Sequence, residues 1–231
     1  MKALKKQYQT APIATIIFLV TTFVFLIELV LSRGTTENSE FLINMGAKWG
    51  PYIQLKHEYW RLLTPVFLHA GFLHIVTNMI TLWFIGPLVE RAFGSAKFFG
   101  LYFFGGIIGN IFSYLLAPSS VSVGASTALF AMFGGLILYA IRFKEDPQVK
   151  SMGTMLGLFV ILNLVTGFSS TDIDIWGHIG GLIGGMMFAV MFGFYGRSGK
   201  YPIRVRLIMG AITILLMILT FWAGLRYENI L

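Results

Sequence analysis

Long apolar stretches alternate with short polar breaks along the whole chain. Seven stretches read as membrane-length helices, at about 12–31, 72–89, 98–116, 126–143, 152–168, 174–195 and 206–225. Roughly 20 apolar residues are needed to cross the hydrocarbon core of a bilayer. The longest connection, 32–71, is not loop-like in its second half. Trp49, Tyr52, Ile53, Trp60, Leu62, Leu63 and Phe67 are too apolar for open water. Trp and Tyr favour the membrane interface, so short amphipathic helices half-embedded along the outer rim are expected there. Lys2, Lys5 and Lys6 precede the first stretch, as in the basic start of a signal peptide. That stretch is as long as a full span and no small-residue cleavage pattern follows it, so it reads as a retained helix.

The pattern predicts an all-α polytopic membrane protein. A short cytoplasmic N-terminus, 1–11, leads into a six-helix core, 12–196, which includes the outer loop 32–71. A basic linker, 197–205, then leads to a seventh helix and tail, 206–231. No separate soluble domain is expected on either side.

Composition supports lipid as the solvent. Hydrophobic residues make up 56% of the chain and charged residues only 12%, against about 25% charged in soluble domains. The net charge of +7 would suggest nucleic acid in a soluble protein. Here it reflects basic residues gathered on one side, and no nucleic-acid partner is expected. With the N-terminus cytoplasmic, the inner side receives twelve: Lys2, Lys5, Lys6, Arg91, Lys97, Arg142, Lys144, Lys150, Arg197, Lys200, Arg204 and Arg206. The outer side receives five: Arg33, Lys48, Lys56, Arg61 and Arg226. Positive residues favour the cytoplasmic side, which supports this orientation.

The same topology brings three polar groups to one face. The second span starts outside near His74, the fourth at Ser126, and the sixth near Asp174 with His178 a turn in. Ionisable groups inside a membrane are costly and usually functional. Gly181 and Gly185 lie three and seven residues beyond His178, a helical spacing that lets a partner helix approach closely. The fourth span, with Ala128, Ala131, Gly134 and Gly135, is the expected partner, and this pairing would set Ser126 beside His178. A serine hydroxyl becomes a nucleophile when a base takes its proton, and neutral imidazole is the usual base. His74 and Asn78 share one face of the second span. With the Ser126 amide they supply donors for an oxyanion. The competing readings are bland: Ser126 as a helix cap, Asn78 as an interhelical hydrogen bond, the glycines as packing. Asp174 and Asp172 read as caps of the sixth span rather than as a third catalytic group, which leaves a dyad.

Metal chemistry is not indicated. The histidines are His57, His69, His74 and His178, and no H-E-x-x-H occurs. His69 and His74 are five apart, on different sides of a helix. No cysteine is present and no cofactor is called for. A transporter would show inverted repeats and polar groups spread through the membrane depth; neither is seen. Glu28, near the outer end of the first span, reads as a snorkelling side chain with no assigned role.

These residues resemble the rhomboid intramembrane serine proteases over nearly the whole chain. Trp60-Arg61 is similar to that family's W-R pair in the first outer loop. His69, His74 and Asn78 match its H-x4-H-x3-N, and Gly86, Glu90 and Gly94 its G-x3-E-x3-G. Gly124-Ala125-Ser126 matches G-x-S, and His178, Gly181 and Gly185 match H-x2-G-x3-G. Any one motif is weak, but five in order on the expected helices are specific.

The resemblance implies a rhomboid-like bundle of seven transmembrane helices, six in the core plus one. It implies Ser126 as nucleophile and His178 as general base and then acid. His74, Asn78 and the Ser126 amide would form the oxyanion hole, with Phe130 stacked on His178. His69, Gly124, Gly181, Gly185, Trp60 and Arg61 would be supporting residues. Implied substrates are membrane-spanning helices in the bilayer, cut near the extracytoplasmic face and entering by the fifth span and the loop near 167–173. A helix-binding protein that does not cut would lack the serine or histidine, and both are present. A multi-pass protein of a bacterial plasma membrane is expected, with the site opening outward. Two positions depart from the family pattern. Thr127 stands where many members have glycine, and is expected to narrow the oxyanion site or tune substrate choice. Gly177 stands for the usual alanine before the histidine, and is expected to be benign.

Overall fold

The computed structural model describes residues 2–170, 173–196 and 200–228. Asp172 and Arg197, and part of the 167–173 segment, lie outside them. The described chain is helical: α1 Lys2–Thr10, α2 Pro12–Leu31, α3 Ser39–Met45, α4 Gly50–Leu55, α5 Phe72–Phe93, α6 Ser95–Leu116, α7 Ser126–Arg142, α8 Pro147–Phe168, α9 Ile175–Phe192 and α10 Ile203–Glu228. Two 3-10 turns, Tyr59–Leu62 and Thr64–Phe67, precede α5. No strand occurs among the described residues, only an isolated antiparallel bridge between Lys48 and Ser122. The short helices expected in the second half of the outer loop are α4 and the two turns, and α3 forms in its first half as well.

Among the described residues, six helices are long and apolar enough to cross a membrane: α2, α5, α6, α8, α9 and α10. The seventh expected span, α7, is apolar but has only 17 residues. It can be short because it is the centre of the bundle. Thr127 to Leu136 are buried without a break. Its neighbours α6 and α9 carry the glycines that permit this. A β-carbon on Gly105 or Gly185 would collide with Ala131, and one on Gly134 with the Leu182 carbonyl. Lipid is as apolar as leucine, so helices associate here by close van der Waals packing through small residues. Of the small α7 residues, Ala131 lies between α6 and α9 and Gly134 faces α9, while Ala128 and Gly135 face Gly106 and Leu101 of α6.

Buried carboxylates fasten α2 to its neighbours at both ends. At one end, Glu90 of α5 accepts from the Ile13 and Ala14 amides at 3.1 and 2.9 Å. These are N–H groups of the first helical turn, which have no partner inside the helix. The Ser95 hydroxyl donates to the same carboxylate at 2.5 Å. Gly86 lies against Ala14, where a β-carbon would come within 2.9 Å. Nearby, Pro87 lies inside α5 and supplies no N–H to the Trp83 carbonyl four residues back. Gln7 of α1 donates its side-chain amide to that carbonyl at 2.8 Å.

At the other end of α2 stands Glu28, fully buried. Its two oxygens accept from the His69 amide at 3.3 and 3.2 Å. The snorkelling expectation is therefore corrected. The carboxylate turns inward because the loop entering α5 presents a backbone donor that nothing else covers. Around this core, α8 and α10 are the least buried of the membrane-length helices.

Candidate active site

The loop before α7 is held at several points by the outer loop. Lys48 and Ser122 exchange both backbone hydrogen bonds at 3.0 Å. The Gly50 amide donates to Pro118, and the Gly124 amide to Pro65, each at 2.9 Å. Lys48 is fully buried. Its ammonium donates to Ala117 O, Ser120 O and Ser120 Oγ at 2.8–2.9 Å. Burial pushes its pKa down to about 8, against the opposing pull of the Asp174 charge.

Trp60 and Arg61 brace the outer loop itself. Arg61 donates to the Ile43 and Ala47 carbonyls at 2.6 and 3.0 Å and to Glu58 at 2.5 Å. Its guanidinium lies over the Trp60 ring, 4.5 Å from the centroid. Each of these contacts lies within the outer loop.

Ser126 is the first residue of α7, and the capping position belongs to Ala125, which makes no side-chain cap bond. The cap reading of Ser126 is therefore corrected. Its hydroxyl turns instead to α9 and lies 2.9 Å from His178 Nε2. The backbone brings the pair together through glycine. A β-carbon on Gly181 would collide with the Thr127 carbonyl and one on Gly185 with Ala131. Phe130, one turn along α7 from Ser126, stacks on the imidazole with centroids 4.2 Å apart and planes 12° apart.

Asp174 caps α9, accepting from the Gly177 amide at 2.9 Å. His178 Nδ1 is buried and makes no hydrogen bond among the described residues. The Phe130 ring covers one face of the imidazole, and Asp174 Oδ2 is likewise buried with no hydrogen bond among the described residues.

The donors lie on the other side of Gly124. This residue has φ +120°, a left-handed conformation that favours glycine. A β-carbon there would also come 2.6 Å from His74 Nε2 and 3.4 Å from Asn78 Nδ2. His74 Nδ1 accepts from the Ala70 amide at 3.3 Å. Its ring proton is therefore on Nε2, the nitrogen turned toward Gly124. Asn78 Nδ2 is buried and makes no hydrogen bond among the described residues. As the first residue of α7, Ser126 has an amide with no carbonyl inside the helix to take it. Two side-chain nitrogens thus approach Gly124, two residues before a hydroxyl that is hydrogen-bonded to imidazole. Such an arrangement can deprotonate the hydroxyl and hold an anion that develops next to it.

His69 supports this side. Its Nδ1 donates to Phe67 O at 3.3 Å, and its Nε2 accepts from the Ala125 amide at 3.4 Å. Its ring is edge-on to His74, 5.1 Å between centroids. Burial, with His74 alongside, pushes its pKa down to about 3, so the ring is neutral and keeps both bonds. Glu28 reaches the site through the His69 amide. Sequence reasoning missed this role; an acidic residue within a span was the available signal.

Thr127 does not line the donor cluster, which corrects the expectation that it narrows it. Its side chain is buried on the far side of α7, among Gly106 and Gly109 of α6 and Gly177 of α9. The two departures from the family pattern, Thr127 and Gly177, face each other.

The profile described as "Rhomboid domain" matches residues 56–195. The chain is similar to Rhomboid protease GluP of Bacillus subtilis (strain 168), 37% identical over 217 residues, covering 93% of this chain and 41% of that one. It is 34% identical over 165 residues to Rhomboid-like protease 3 of Toxoplasma gondii, covering 70% and 62%. It is also 34% identical over 152 residues to RHOMBOID-like protein 7 of Arabidopsis thaliana, covering 65% and 48%. The chain thus spans less than two thirds of the length of each of these relatives.

Proposed function

Since the chain belongs to the rhomboid family, we propose that it is an intramembrane serine endopeptidase working through a Ser126–His178 dyad. The carrying observation is the 2.9 Å contact between Ser126 Oγ and His178 Nε2, from two separate membrane helices. In the proposed reaction, Nε2 takes the hydroxyl proton as Oγ attacks the scissile carbonyl carbon. The carbonyl oxygen becomes an oxyanion, received by His74 Nε2–H, Asn78 Nδ2–H and the Ser126 amide. The C–N bond breaks as Nε2–H gives its proton to the leaving amine. Water, deprotonated by the same nitrogen, then attacks the acyl-serine ester, and the C–Oγ bond breaks as Nε2–H returns the proton to Oγ and the second product leaves. The Phe130 stack keeps the ring in plane through both proton transfers. Each donor aimed at the oxyanion rather than at the ground-state carbonyl lowers the barrier by about 2.7–4 kcal/mol.

The proposed substrates are membrane-spanning helices, cut near the extracytoplasmic face where a helix can unwind. The low burial of α8 supports entry along that helix. The proposed orientation keeps the N-terminus cytoplasmic, with seven spans, a core over 12–196, a linker over 197–205 and a final helix over 206–231. It rests on the charge asymmetry described above. At 1.5 Å per residue the 17 residues of α7 span about 26 Å, short of the ~30 Å hydrocarbon core. That shortfall supports a serine lying just below the outer surface. A bacterial plasma membrane is the proposed location.

The test is cleavage of a single-span reporter by the full chain reconstituted in lipid vesicles. Wild type should cleave, and Ser126→Ala and His178→Ala should not. Cleavage by both variants at the wild-type rate would defeat the protease reading. Covalent labelling of Ser126 by a fluorophosphonate separates an enzyme from a helix binder.

A further inference from the structure

Thr127 stands between the two helices that carry Ser126 and His178. It follows Ser126 on α7 and faces Gly177, which precedes His178 on α9. It is 3% exposed. A β-carbon on Gly177 would come 3.0 Å from Thr127 Cγ2, and one on Gly109 would come 2.8 Å from Thr127 Cβ. A β-carbon on Gly181 would collide with the Thr127 carbonyl. Its hydroxyl is buried and makes no hydrogen bond among the described residues. A threonine held for its hydroxyl would have a partner for it, because an unpartnered buried hydroxyl is a cost. What this side chain does is fill space, at the junction of α6, α7 and α9.

We propose that Thr127 is a positioning residue, a spacer whose methyl group against Gly177 sets the distance between Ser126 Oγ and His178 Nε2. The glycines at 109 and 177 form its socket. Close packing makes the spacing stiff, since interiors have few voids and transmit a change of one methyl group. Removing the methyl lets α9 settle toward α7 or shift along it. Adding a methyl on the Gly177 side pushes the helices apart. Either change moves His178 relative to Ser126, because each stands one residue from the contact. The shape is required and the hydroxyl is not. This inference rests on the proposed dyad, and it concerns how that dyad is held.

The experiment compares reconstituted full-length wild type, Ser126→Ala, Thr127→Ala, Thr127→Val, Gly177→Ala and the Thr127→Ala/Gly177→Ala double variant. The readouts are kcat and KM on the single-span reporter and the rate of fluorophosphonate labelling. Thr127→Ala should lower kcat and the labelling rate about tenfold or more, since misplacements of about 1 Å cost up to 10²-fold, with KM within twofold. Thr127→Val, which keeps the shape and loses only an unpartnered hydroxyl, should stay within about twofold of wild type in kcat. Gly177→Ala should lower kcat by a larger factor in wild type than in Thr127→Ala. A β-carbon at 177 also approaches the Asp174 carboxylate, at 2.6 Å. That contact is common to both backgrounds and cancels in the cycle. Wild-type kcat in Thr127→Ala, a Thr127→Val variant as slow as Thr127→Ala, or equal Gly177→Ala factors in the two backgrounds would each overturn the spacer. Cleavage by Ser126→Ala would instead remove the dyad itself, and the spacer with it.

Discussion

Replacing Gly124 by alanine separates backbone strain from chemistry. Gly124 has φ +120°, and holding a non-glycine residue in such a region costs about 1–3 kcal/mol. The new β-carbon would also come 2.6 Å from His74 Nε2, closer than packed atoms tolerate. The ring must turn away or the loop must move. In either case the Nε2–H no longer points where the oxyanion forms. Losing one such donor lowers kcat about 10²–10³-fold, or about 2.7–4 kcal/mol. Gly34 provides the control. It has φ +91° and a β-carbon there would meet nothing within 4 Å. Gly34→Ala therefore carries strain without the collision. Gly34→Ala should lower the thermal midpoint in detergent by the strain alone, and Gly124→Ala by at least as much. Only Gly124→Ala should lose reporter cleavage about a hundredfold or more. A Gly124→Ala variant with a lowered midpoint and kcat within threefold of wild type would refute the reasoning, because His74 would then not act from that position.

Two further outcomes follow from buried groups. Glu28→Leu leaves the His69 amide buried without an acceptor, at a cost of about 1–3 kcal/mol, whereas Glu28→Gln keeps an acceptor and should lose less. Equal thermal midpoints for wild type and both variants would refute the role of Glu28. His69 gives a pH dependence: its pKa is about 3 in the folded chain and near 6.5 when unfolded. Between these values the unfolded chain binds the extra proton. Stability from this group is therefore full above about pH 6.5 and falls by about 1.4 kcal/mol per unit as pH drops toward 3. Unfolding of wild type and His69→Gln at several pH values checks it. The variant should show a shallower loss by about one proton, and identical slopes would refute it.

Helix periodicity and apolar length were enough to place the polar groups at one end of the spans, because side chains four apart share a face and span length fixes depth. The Ser126, His178, His74 and Asn78 set was therefore legible before any coordinates. The pattern could not give rotation about each helix axis, which is set by how neighbours interlock. Thr127 illustrates this. Its sequence position suggested the oxyanion site, and packing turns it into the socket of Gly109 and Gly177. Ser126 read equally well as a cap until its hydroxyl was seen to lie against His178.

The sequence alone thus determined the solvent, the number and order of apolar stretches, and which polar residues reach a common face. These depend on composition and on the 1.5 Å rise per residue, both local properties. The tertiary structure decided the partners. Glu28 is an internal acceptor because a loop 41 residues away delivers the His69 amide to it. Lys48 is an internal donor because the loop after α6 presents carbonyls to its ammonium. Both pairings join segments far apart in sequence that only the folded chain brings together. No local pattern encodes which buried polar group will meet which.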